Sequence, residues 1–127
     1  MLRFILVCGG GAIGSGARYL TGLWAASAFG AAFPVATLLV NVIGSFLMAL
    51  VLETAATTQF VSSDTRLFLT TGLLGGFTTY SAFNHDTTAM LREGAWRLGV
   101  INVCITLFGC LAAGVAGIAV ARALFAR

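Results

Sequence analysis

Thr70-Thr71-Gly72-Leu73-Leu74-Gly75-Gly76-Phe77-Thr78-Thr79-Tyr80-Ser81-Ala82-Phe83 carries no charge and falls within a long apolar region, yet it reads poorly as a continuous helix. Gly75-Gly76 weakens a helix at adjacent positions. The hydroxyls of Thr78-Thr79-Tyr80-Ser81 then offer the backbone competing hydrogen bonds. A helix break is predicted here. Inside a bilayer, unwound backbone survives only where it is buried in protein or lines a watery cavity, so the break implies carbonyls and hydroxyls that face something polar. An ion is one candidate.

The surrounding chain explains why membrane depth is the right setting. Of 127 residues, 59% are hydrophobic and 9% charged, with one proline. Charge is missing from 19–52, 67–85 and 98–121, and residues 4–17 add a further apolar run before Arg18. A helix needs roughly 20 apolar residues to cross a bilayer. Pro34 divides the first long stretch, a position suited to a loop or a first helical turn. The expected architecture is an all-α membrane protein, one domain of four transmembrane helices at 4–28, 35–53, 66–91 (broken near 75–79) and 96–124. The early run, rich in Gly9-Gly10-Gly11 and Gly14-Ser15-Gly16 and continuing past Arg18, is read as a mature helix rather than a secretory signal.

Several function classes fall away. Cys8, Cys104 and Cys110 all lie within predicted spans, which suits neither a disulfide framework nor a zinc site. The basic residues are all arginine and thinly spread, unlike a nucleic-acid footprint. His85 and Asp86 are adjacent, so they point to different sides of a helix, and no nucleophile, base and orienting group are visible together; an enzyme is not expected.

Orientation is weakly specified. With four helices, Arg3, Arg66, Arg122 and Arg127 fall on one side and Arg92 and Arg97 on the other, with Arg18 undecided. Topology follows the excess of basic residues in short loops, and this excess is small. Insertion both ways round would yield an antiparallel dimer about a two-fold axis in the membrane plane. Four short-looped helices also enclose little pore alone, a second reason to expect self-association.

Polar residues inside the spans recur at helical spacing. Gly10, Gly14, Arg18 and Gly22 form a small-residue stripe, read either as close packing with Arg18 reaching an interface or as an anion-attracting arginine at a vestibule. Thr37, Asn41 and Ser45 draw a polar line along the second helix, and Asn102, Thr106 and Cys110 draw one along the fourth. A carboxamide cannot be satisfied within its own helix, so Asn41 and Asn102 should face a partner helix or water. Phe77, Tyr80 and Phe83 share a face, either as core or as rings whose positive edges assist a desolvated anion. Gly72 and Gly76 make a GxxxG pair, which competes as a helix crossing with the ion-site reading. Glu53, Asp64 and Glu93 sit at predicted ends or loops and Asp86 late in the third helix, so no acid is placed mid-membrane for proton exchange.

The residues 71–83, with Thr37-Leu38-Leu39-Val40-Asn41-Val42-Ile43-Gly44-Ser45-Phe46 and Gly16-Ala17-Arg18, resemble the Fluc/CrcB fluoride channels over nearly the whole chain. That resemblance implies a dual-topology, antiparallel homodimer in the inner membrane, with two fluoride pores and a central structural sodium ion that is not transported. It implies sodium ligation by the backbone carbonyls of Gly75 and Thr78, and an anion path of Asn41, Phe83, Tyr80, Thr79, Ser81, Thr37 and Thr106 with Arg18 at the vestibule. Tyr80 stands where phenylalanine is common in the family, Asp86 where glutamate is frequent, Cys110 where serine can occur, and Asn102 at a site that can hold tyrosine. The competing expectations are a small dual-topology proton-coupled exporter, disfavoured by the missing acid, and a non-transporting membrane assembly subunit.

Overall fold

A computed structural model describes residues 1–30 and 32–125; Arg127, assigned above to one side of the membrane, lies outside the described residues. All regular structure among the described residues is helical, with no strand among them: α1 Leu2–Phe29, α2 Val35–Thr57, α3 Ser63–Leu67, a π-wound segment Phe68–Leu74, one turn α4 Gly75–Phe77, α5 Tyr80–Arg92 and α6 Trp96–Phe125. Local signals mark the ends. Gly30, at φ 73°, closes α1 in a conformation that favours glycine. The Ser62 hydroxyl accepts the Thr65 N–H to start α3, with Asp64 in its first turn. Gly94, at φ 79°, makes the tight turn into α6.

α6 packs chiefly on α2 and α1 chiefly on the segment from Phe68 to Phe77, and in each of these two pairs the partners run parallel. Arg3 Nε meets Asp64 Oδ1 at 3.1 Å, tying the start of α1 to the start of α3. Arg122 Nε meets Glu53 Oε1 at 2.7 Å, tying the end of α6 to the end of α2. The second contact lies inside α2, which runs on to Thr57, past the expected end at residue 53.

The distribution of apolar residues is inverted relative to a water-soluble domain. Among the described residues the fully buried hydrophobics are only Ala25, Val40, Leu74 and Ala121, while Leu20, Leu23, Trp24, Ile105, Phe108, Leu111 and Val115 face outward. Exposed apolar area on that scale needs an apolar solvent or a partner. Two helices, Val35–Thr57 and Trp96–Phe125, are long and apolar enough to cross a membrane.

Glycine makes the remaining core by letting backbones touch. A Cβ on Gly10 would lie 2.8 Å from both Leu73 N and Phe68 O, and one on Gly14 would collide with Leu73 O. Gly76 approaches Gly11 in the same way. These contacts bear on where, within the expected interval 75–79, the backbone leaves the helix. Gly75 keeps helical angles (φ −62°, ψ −37°), and the chain leaves the helix two residues later than the glycine pair, at Thr78 (φ −84°, ψ 158°) and Thr79 (φ −155°, ψ 117°). The reason is packing: the void that Gly76 leaves is filled by α1, so the segment is held helical from outside despite its poor intrinsic propensity.

Candidate functional site

The extended pair Thr78-Thr79 interrupts the helical hydrogen-bond ladder, and its peptide groups find partners elsewhere. Thr78 still donates its N–H to Leu74 O at 3.0 Å, and its hydroxyl donates to the same oxygen at 2.9 Å. Thr79 does not continue the pattern. Its N–H donates to Asn41 Oδ1 at 2.8 Å, and its C=O accepts from Asn41 Nδ2 at 3.0 Å. The carboxamide thus pairs with both backbone groups of one residue as a neighbouring strand would. Thr79 Oγ1 then accepts the Ala82 N–H at 3.2 Å, which caps α5.

These two captures have a consequence for carbonyls. In an uninterrupted α-helix the Thr79 N–H would go to Gly75 O and the Ala82 N–H to Thr78 O. Both donors are taken by side chains instead, leaving the Gly75 and Thr78 carbonyls available to another partner. Gly75 is exposed and Thr78 half-buried. Oxygen donors of this kind suit a hard cation. Among the described residues no group of three His, Cys, Asp or Glu side chains could hold a metal ion.

Asn41, Thr78, Thr79, Tyr80, Phe83 and Thr106 come together around one cavity of about 950 Å³ bounded by α2, the break with the start of α5, and α6. The Tyr80 and Phe83 rings lie 5.6 Å apart at 54° to each other. Thr106 is buried and its hydroxyl has no hydrogen-bond partner, an orphan acceptor and donor beside the cavity. Phe83 is anchored from behind: buried Asn102 donates to Thr87 Oγ1 at 2.9 Å, and that hydroxyl donates to Phe83 O at 2.7 Å.

Other expected residues lie elsewhere. Thr37, one turn from Asn41, donates to Asp86 Oδ2 at 2.8 Å beside a separate pocket of about 360 Å³. Ser81 is exposed, reaching Thr79 Oγ1 at 3.1 Å but not lining the main cavity. Arg18 is half-buried on α1 and Gly75 lies on the outer surface; neither lines that cavity. Cys8, Cys104 and Cys110 are free thiols.

Sequence reasoning left out of the site three polar residues that line the cavity. Ser45, whose hydroxyl donates to Asn41 O at 2.7 Å, and Cys110 were visible as members of polar stripes. Glu53 was set aside as a helix end, although Asn41, Ser45, Ala49 and Glu53 continue at four-residue spacing on one face.

Comparison with known proteins agrees in extent with this architecture. The family model described as CrcB-like protein, Camphor Resistance (CrcB), matches residues 5–118. Proteins named fluoride-specific ion channel FluC are similar over nearly their whole length: one from Anaeromyxobacter dehalogenans is 50% identical over 96% of this chain and 97% of its own. One from Sorangium cellulosum is 50% identical over 99% of both chains. One from Agrobacterium fabrum is 45% identical over 98% of this chain and all of its own. With matches of this extent and identity, the chain belongs to the CrcB family.

Proposed function

We propose that this chain is a fluoride channel of the inner membrane, letting cytoplasmic fluoride leave passively and so relieving its toxicity. The observation that carries the reading is the cavity beside the Asn41–Thr79 pair, where polar groups and the Phe83 ring line an otherwise apolar space bounded by apolar helices. A small anion that sheds water there needs donors and positive ring edges in place of hydration. Thr106 lines that space and holds a buried hydroxyl with no partner, and Asn41 keeps a second amide hydrogen beyond the one given to Thr79. The names of the similar proteins support the choice of fluoride.

In this reading residues 63–92 form one membrane segment interrupted at Thr78-Thr79, so that four segments cross the bilayer. The working unit is an antiparallel homodimer of chains inserted in opposite orientations. Arg3, Arg66 and Arg122 at one end against Arg92 and Arg97 at the other give little preference for either orientation. The Gly75 and Thr78 carbonyls, freed by the two side-chain captures, hold a sodium ion shared between subunits. When bound, that ion supplies fixed positive charge near the anion path.

Purified protein in liposomes loaded with fluoride tests the reading. Efflux should follow the fluoride gradient and the membrane potential and persist without a pH gradient. Efflux that requires a proton gradient would favour the exporter, and no efflux would favour an assembly subunit.

A further inference from the structure

The main cavity does not end at the break. Asn41, Ser45, Ala49 and Glu53 all line it, and twelve residues of α2 at about 1.5 Å each carry the lining about 18 Å from Asn41 to Glu53, one turn before the helix ends at Thr57. On the facing helix Thr106, Cys110 and Ile118 line it, and Arg122 follows Ile118 by one turn. Glu53 is the only charged side chain among the described lining residues. Its side chain is 19% exposed, and its partner Arg122 is 65% exposed.

A carboxylate at the mouth of an anion path is an obstacle. Like charges repel, and apolar walls strengthen the repulsion by keeping high-dielectric water at a distance. We propose that Arg122 is a positioning residue of the conduction path: it neutralises Glu53, making the mouth electrically neutral toward an entering anion. This rests on the reading of the cavity as that path. The plain alternative is a tie between α2 and α6, in which the two partners matter equally.

The alternatives separate by sign. Neutralising one partner leaves the mouth with a charge of −1 in Arg122→Gln and +1 in Glu53→Gln. Fluoride efflux from liposomes should therefore be fastest in Glu53→Gln, intermediate in the unaltered protein and slowest in Arg122→Gln, the last lower by about threefold at low ionic strength. The differences should shrink with salt, since screening lengths fall from about 30 Å at 0.01 M to about 3 Å at 1 M. The exchanged pair Glu53→Arg/Arg122→Glu should return the rate toward that of the unaltered protein, which also controls for misfolding. Equal slowing in both single variants, or an order insensitive to salt, would overturn the proposal. An unaltered protein that passes no fluoride would instead sink the channel reading on which it depends.

Discussion

Asn41 and Thr79, 38 residues apart, are joined by two hydrogen bonds of 2.8 and 3.0 Å through which one carboxamide satisfies both backbone polar groups of one residue. The pair lets an extended residue exist inside an apolar bundle, where an unpaired peptide group is costly. It also redirects the donor that would have closed on Gly75 O. One side chain therefore borders the main cavity and frees a carbonyl on the outer surface.

Asn41→Ala should remove both bonds and lower stability by about 2 kcal/mol, the order expected when buried polar groups lose a partner. Asn41→Asp keeps an acceptor for the Thr79 N–H but offers its C=O no donor, and adds a negative charge to the cavity. Fluoride efflux should fall in both variants, and the thermal midpoint in detergent should fall for Asn41→Ala. Unchanged efflux in Asn41→Ala would remove the pair from the conduction path.

Thr106→Val separates function from stability. The hydroxyl is buried and has no partner within the chain, so the isosteric valine should leave stability unchanged or raise it slightly, by about 1 kcal/mol or less. Fluoride efflux should nonetheless drop, because the free donor is lost. A large loss of thermal stability would show that the hydroxyl has a structural partner in the assembled protein.

The glycines divide by what they touch. Gly14→Ala would press a methyl group into the backbone at Leu73 and should destabilise by about 1–3 kcal/mol or prevent folding. Gly75 has only an ordinary contact, 3.5 Å to Thr70 O, so Gly75→Ala should be accepted by the single chain. If Gly75 borders a sodium site, its substitution should weaken the stabilisation of the dimer by sodium, measured as the shift in thermal midpoint between sodium and a bulky organic cation. An equal sodium-dependent shift in Gly75→Ala and the unaltered protein would count against that placement.

Tyr80 is largely exposed and its ring packs beside Phe83, whereas Phe83 is half-buried and held through Thr87 and Asn102. Tyr80→Phe should conduct nearly as the unaltered protein does, and Phe83→Ala should lose most of its efflux. The reverse ranking, read in the same liposome assay, would reassign the aromatic of the path.

How far these features can be read from the chain depends on their physical range. Helix positions follow from long charge-free runs, and the Asn41–Ser45 and Asn102–Thr106 stripes follow from four-residue spacing, because both are local in sequence. The location of the break is not local. Gly75-Gly76 has the weaker intrinsic propensity, but contact with Gly11 and Gly14 keeps that turn wound, and the capture of Thr79 by Asn41 decides where it opens. Thr37 and Asn41 share one face in sequence, yet the Asp86 carboxylate claims Thr37 and places it beside another pocket. Glu53 looked like a helix end because α2 continues through threonines whose hydroxyls bond back to their own helix, as Thr57 does to Glu53 O at 2.9 Å.

The most direct test of the account is the ratio of fluoride to chloride flux through the purified protein in liposomes under matched gradients. A desolvating path lined by a few donors and ring edges predicts rapid fluoride efflux with chloride efflux near background. Equal release of the two anions, or release of neither, would contradict it.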